Sequence, residues 1–300
     1  MTSTDRFCEL PSGIRICYRV DGPESGRPLL LIAGLALDLT CWPPSLVSAL
    51  ADRGYRVIRF DNRDAGRSTH LTTSPPSTLR QALAITRPTD YDLTDMANDT
   101  IGLLDALGIT RADFVGMSMG GMIAQVAAAI APDRVRTLTS LFSTTGAPGV
   151  GRQARAMLVS MAKPASRTAS VSAHRHVAAL RRWGSPEFGF DPAVETQWAV
   201  NVWERGGGRA ASAGAARQIA AIQKSGDRTA QVRTITAPTL VIHGDRDPMI
   251  HPSGGRATAD AIPGARLVTI TNLRHNIVAG VVPQLVDLVD EHARAVDRRD

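Results

Sequence analysis

The feature that most restricts the fold is a serine bracketed by glycines, Gly116-Met117-Ser118-Met119-Gly120, set where a buried strand gives way to a helix. Ala112 to Met117 has the length and composition of a core strand, and Met119 to Ala131 reads as a helix stopped by Pro132. Joining the two without a loop forces Ser118 into a sharp, strained turn. Glycines two residues before and two after it remove the Cβ atoms that would clash as strand and helix close. The hydroxyl then projects above the sheet, and the helix N-terminus turns its free amides and positive dipole end towards it. Alone, such a motif arises by chance in many chains; the strand-to-helix junction gives it meaning.

The flanking sequence supplies the sheet. Arg6 to Leu10 and Ile14 to Val20, parted by Pro11-Ser12-Gly13, read as a hairpin, and Leu29 to Ile32 as a fully buried strand. A helix from about Pro43 to Arg53 and a strand from Tyr55 to Phe60 follow. The stretch from Thr69 to Tyr91 is rich in proline and threonine, with one short helix around Leu79 to Ile85. Leu93, Met96, Thr100, Leu104 and Leu107 then fall at helical spacing, closed by Gly108, and Val135 to Phe142 is a further strand. From about residue 145 to 235 the pattern turns wholly helical, with segments near 151–163, 166–183, 191–204 and 208–224. Alternation resumes with strands at Thr239 to His243 and Leu267 to Ile270 and helices near Gly254 to Ile262 and Val282 to Val296. The expected class is α/β: a mostly parallel eight-stranded sheet with helices on both faces. Residues 1–145 and 236–300 would form one core, interrupted by an all-helical cap at 146–235 over the carboxyl edge.

Composition narrows the function. The net charge is +6, but the basic residues are scattered, and Arg181-Arg182 and Arg298-Arg299 are the adjacent pairs. A nucleic-acid binder concentrates them on one face beside stacking aromatics, so no nucleic-acid partner is expected. The most apolar stretch, Leu29 to Leu37, is nine residues long, against about 18 for a membrane span. Met1 to Arg6 is polar, so a cytoplasmic location is expected. Cys8, Cys17 and Cys41 lack metal or redox spacing. Cys8 and Cys17 are expected to face one another across the hairpin, but reduced thiols are the better reading of an odd count in a reducing compartment. The sequence leaves homo-oligomerisation open.

An activated serine needs a general base, and the base an orienting carboxylate. Of seven histidines, His174, His176 and His292 lie in expected helices and His243 in a strand, which favours core or surface roles. His70 follows the turn after Asp61, and His251 opens a helix. His275 alone falls in the loop after the last strand, at the edge where ligands bind in such sheets. The acid is Asp245 or Asp247, both at the end of the strand Thr239 to His243; Asp247 is preferred because Asp245, nearer the strand, is placed to hold the turn.

With these residues in hand, the chain resembles the α/β-hydrolase superfamily over nearly its whole length, and within it the aclacinomycin methylesterase-like serine esterases. The likeness is carried by Leu29-Leu-Leu-Ile-Ala-Gly34, Trp42-Pro43, Arg59-Phe-Asp-Asn-Arg-Asp-Ala-Gly-Arg-Ser-Thr69, the Ser118 motif and Pro238-Thr-Leu-Val-Ile-His-Gly-Asp-Arg-Asp-Pro248. The resemblance implies an α/β-hydrolase fold, Asp247 as triad acid, His275 as base, an oxyanion hole from the amides of Leu35 and Met119, and no metal or organic cofactor. Two departures stand out. Ala33-Gly34 replaces the His-Gly of many relatives, and Leu273-Arg274 precedes His275 where glycine is common. The implied reaction is hydrolysis of a small-molecule ester, apolar or of polyketide type, through an acyl-enzyme. Trp183, Trp198 and Trp203, with Met157 and Met161, are the expected apolar contribution of the cap to substrate binding. The same triad also serves cofactor-free haloperoxidase or perhydrolase, thioesterase and C–C hydrolase chemistry, and a non-catalytic ligand-binding protein could keep the fold.

Overall fold

The computed structural model describes residues 3–152 and 166–297. The expected helix near 151–163, with Met157 and Met161, lies largely or wholly outside them. In chain order the elements are β1 (Arg6–Glu9), β2 (Arg15–Asp21), β3 (Arg27–Ile32), α1 (Pro44–Asp52), β4 (Tyr55–Phe60), α2 (Thr78–Ala82), α3 (Leu93–Ala106), β5 (Ala112–Met117), α4 (Met119–Ile130) and β6 (Val135–Leu141). They continue with α5 (Ala169–Trp183), α6 (Pro192–Arg205), α7 (Ala211–Ser225), α8 (Thr229–Val232), β7 (Thr239–Gly244), α9 (Ser253–Ala261), β8 (Arg266–Ile270) and α10 (Val282–Asp297). The sheet has eight strands in the order β1-β2-β4-β3-β5-β6-β7-β8. The β1–β2 and β2–β4 pairs are antiparallel, and every other pair is parallel.

The unbroken apolar runs of the inner strands follow from burial on both faces. Leu30, Ile32 and Phe114 join the core under α3 and α4, with Met96, Ile123 and Val126. Their neighbours Leu29, Leu31 and Val115 point the other way, into a core with Leu46 and Leu50 of α1 and Leu285 and Val289 of α10. Each such side chain contributes about 1.5–3 kcal/mol by leaving water. α3 begins in a capping box in which Asp92 accepts from the amides of Thr94 and Asp95, while Asp95 accepts from the Asp92 amide. No helix among the described residues is long and apolar enough to cross a membrane.

Two expectations need correction. The hairpin register pairs Cys8 with Ile16 and Phe7 with Cys17, so the two cysteines point to opposite faces rather than at each other. All three thiols are free. The helix expected over 79–85 is the short α2, followed by Ala84 at φ 51°. Leu79 and Leu83 are 68% and 60% exposed, so no buried apolar face extends it.

Cys17 is buried, and that burial, reinforced by the Asp61 charge, pushes its thiol up to about 12. The thiolate is the reactive form. Cys17 should therefore resist an aromatic disulfide reagent at pH 8 until the chain is unfolded in urea; stoichiometric labelling of Cys17 in the native protein would contradict this burial.

Candidate active site

The turn between β5 and α4 is the strained one that the motif requires. Ser118 sits at φ 57°, ψ −119°. Its amide donates to the Leu141 carbonyl at 2.8 Å, and its own carbonyl accepts from Ser143 Oγ at 2.9 Å and the Met122 amide at 3.2 Å. The bonds to Leu141 and Ser143 tie the turn to the end of β6. A Cβ on Gly116 would lie 2.2 Å from the Gly120 carbonyl oxygen, and one on Gly120 only 2.0 Å from that of Ile32. Both obstacles are backbone and cannot swing aside. Gly120→Ala should therefore cost about 3 kcal/mol or more in urea unfolding; a loss under about 1 kcal/mol would contradict this packing.

Three residues distant in sequence meet at this turn. Ser118 Oγ lies 3.0 Å from His275 Nε2, and His275 Nδ1 lies 2.6 Å from Asp247 Oδ2. An ionised carboxylate only accepts, so Nδ1 carries the proton and Nε2 is left to accept from the serine hydroxyl. Asp247 is buried, and its Oδ1 accepts from the amides of Met249 and Ile250 at 2.8 and 2.9 Å. Burial alone would raise the Asp247 carboxyl, but electrostatic attraction to His275 and hydrogen bonds from His243, His275 and the Ile250 amide hold it well below the usual carboxylate range. Phe142 backs the His275 ring, the ring centroids being 5.8 Å apart.

Asp245 stands apart from this group. Its Oδ1 accepts from the Asn272 amide at 2.7 Å, linking the loops that follow β7 and β8. Of the other histidines, His243 comes nearest: its Nε2 lies 2.8 Å from the Ile250 carbonyl oxygen and 3.3 Å from Asp247 Oδ2. Its strand position pointed to the core, and nothing in the sequence showed that it would also touch the acid. His70 Nε2 lies near the Gly66 carbonyl, and His176 pairs with Glu195.

Leu35 follows β3, whose Ile32 pairs with Gly116 of β5, and Met119 opens α4 directly after Ser118. The Met119 amide is among the first four of its helix, which have no intrahelical acceptor. A Cβ on Gly34 would come 3.3 Å from the Met117 carbonyl oxygen and the Ser118 Cβ, a measure of how closely the Leu35 loop approaches.

The Asp61-to-Ser68 stretch ties α6 and α7 to the sheet. Asp64 holds Arg217 of α7 through two bonds of 2.9 and 2.6 Å. Arg205 of α6 meets Asp61 at 2.7 Å, Asp38 at 3.0 Å and Asp5 at 3.3 Å. Trp198 Nε1 donates to the Thr40 carbonyl at 3.0 Å, while Trp203 packs on Gly208 and Trp183 lies under the Arg182 guanidinium. A cavity of about 180 Å³ beside the His275 loop is walled by Leu180, Gly184, Pro186, Phe190, Asn276 and Val278. Among the described residues, no three His, Cys, Asp or Glu side chains are grouped as metal ligands would be.

The sequence pattern of the alpha/beta hydrolase fold family runs through residues 27–279. The chain belongs to that family. Within it, the chain is 31% identical over 294 residues to the rhodomycin D methylesterase DauP of Streptomyces sp. (strain C5), covering 91% of this chain and 93% of that one. It is 27% identical over 291 residues to a non-heme haloperoxidase of Rhodococcus erythropolis, covering 90% and 93%. The enol-lactonase from Burkholderia xenovorans LB400 superposes with a TM-score of 0.73 at 25% identity, covering 96% of this chain and all (100%) of that one. The hydrolase fold and the likeness to methylesterases expected from the sequence are thus borne out.

Proposed function

We propose that this chain is a carboxylic-ester hydrolase that works through an acyl-enzyme on Ser118. The observation that carries the reading is the unbroken line from Ser118 Oγ through the His275 ring to Asp247, with separations of 3.0 and 2.6 Å. In this mechanism the Ser118 oxygen attacks the ester carbonyl while His275 Nε2 takes its proton. The oxyanion of the tetrahedral intermediate is held by the amides of Leu35 and Met119. His275 then gives the proton to the departing alcohol, and water repeats the sequence on the acyl-enzyme. Asp247 keeps the proton on Nδ1 and stabilises the imidazolium that forms transiently. One oxyanion donor is worth about 10²–10³ in kcat, so the two amides matter on the scale of the relay itself.

The proposed substrate is a small apolar or polyketide-type ester, with a methyl ester favoured by the extended similarity to a methylesterase. In this reading residues 146–235 act as a cap, with Trp183, Trp198 and Trp203 giving apolar area to it. Halogenation through a peracid is the second reading, favoured by the likeness to the Rhodococcus haloperoxidase. A substrate panel separates the two. Incubation with aromatic polyketide methyl esters should release methanol and the free acid at rates well above those of bromination with acetate and peroxide. Bromination that outpaced the hydrolysis of every ester and thioester tried would overturn the ester assignment.

A further inference from the structure

We propose that Gln218, on α7, is a positioning residue for the oxyanion hole: by pinning the peptide that follows Leu35 it aims the Leu35 amide. The inference rests on the role given to that amide above. Gln218 is fully buried. Its Oε1 accepts from the Ala36 amide at 2.8 Å, and its Nε2 donates to the Arg63 carbonyl at 2.8 Å. Turning the side-chain amide over would set N–H against N–H and oxygen against oxygen, so its two partners fix its orientation.

The loop needs such a hold. Ala36 sits at φ 58°, a left-handed conformation that costs an alanine free energy and persists only where its surroundings enforce it. On one side of Leu35, Asn62 Nδ2 donates to the Ala33 carbonyl at 3.0 Å. On the other, Gln218 holds the Ala36 amide. The peptide plane carrying the Leu35 N–H therefore lies between two planes that are each fixed by a side chain. Releasing either frees that N–H to turn away from the developing charge.

α7 is itself seated by contacts that leave it little freedom. Arg217, next to Gln218, grips Asp64 with two bonds, and a Cβ on Gly214 would stand 2.1 Å from the Asp64 carbonyl oxygen. The helix thus lies directly on the backbone of the Asp61-to-Ser68 loop, and Gln218 extends that contact to the Leu35 loop. A helix drawn from the excursion between β6 and β7 becomes part of what gives the hole its geometry.

The test uses Gln218→Met, close in shape but unable to hold either partner, and Gln218→Glu, whose carboxyl still accepts from the Ala36 amide. Each is assayed for kcat and KM on a p-nitrophenyl ester and for inhibition by an alkyl trifluoromethyl ketone. Ser118 Oγ adds to that ketone, its proton passes to His275, and the former carbonyl oxygen becomes an oxyanion in the hole. Gln218→Met should lower kcat at least tenfold with KM within threefold, and raise the inhibition constant by the same factor as the fall in kcat. Gln218→Glu should recover most of both losses. A folded Gln218→Met with kcat within threefold of the parent, or with a lower kcat and an unmoved inhibition constant, would overturn the proposal in favour of a purely structural role. Should that variant not fold, Gln218→Glu decides. Parental values, or a fall in kcat matched by the inhibition constant, support the proposal; a tenfold fall in kcat with unchanged inhibition contradicts it. Failure of the serine-hydrolase reading would show separately, as a parent protein indifferent to the ketone.

Discussion

Ser118→Ala is expected to lower ester turnover by at least about 10⁴-fold with the fold intact. Alanine keeps the Cβ, so the turn at φ 57° gains no new clash, and the backbone bonds to Leu141, Ser143 and Met122 survive. What disappears is the oxygen 3.0 Å from His275 Nε2. In enzymes with such a relay, losing the nucleophile costs about 10⁶ in kcat, and the remaining rate comes from the oxyanion hole and binding alone. The measurement is kcat on a p-nitrophenyl ester beside a thermal melt. A variant that melts with the parent and turns over within tenfold of it would remove Ser118 from the chemistry.

Asp247→Asn carries the second large effect, a fall in kcat of about 10⁴-fold. Asp247 Oδ1 is committed to the amides of Met249 and Ile250 and Oδ2 to His275. An asparagine keeping its oxygen on those amides must turn its NH₂ towards Nδ1, which can then no longer be the protonated nitrogen. The proton moves to Nε2, and the ring cannot accept from Ser118. The pH profile follows from the same geometry. With its carboxyl held well below the usual range by its partners, Asp247 stays ionised across the working range, so this carboxylate should add no step of its own to kcat/KM near neutral pH. The sign for stability is that of a carboxylate favoured in the folded state: its contribution is present above the unfolded value near 3.8 and is lost as the pH falls below it. Retention of more than a tenth of parental kcat in Asp247→Asn would contradict this arrangement.

The inner strands were legible because burial on both faces leaves continuous apolar runs such as Leu29 to Ile32, each ended by glycine or a polar turn. The serine turn was legible because close approach of strand and helix admits glycine alone at 116 and 120. His275 and Asp247 could be placed by topology, since both fall just beyond strands at the carboxyl edge. Side-chain facing was harder to read. A slip of one residue in the hairpin register was enough to set Cys8 and Cys17 on opposite faces. The hold of Gln218 on Ala36 spans 182 residues and depends on how α7 is seated, which no local pattern encodes. The contact between His243 and Asp247 stayed hidden for a related reason: the chain must turn sharply after β7 to bring the acid back onto the strand.

A fluorophosphonate adduct mapped by peptide mass spectrometry shows which oxygen the imidazole activates. A single adduct on Ser118, formed at least 10²-fold more slowly in His275→Ala, is the result expected of a serine activated by that imidazole. An adduct on another residue, or labelling of Ser118 at an undiminished rate without the imidazole, would contradict it.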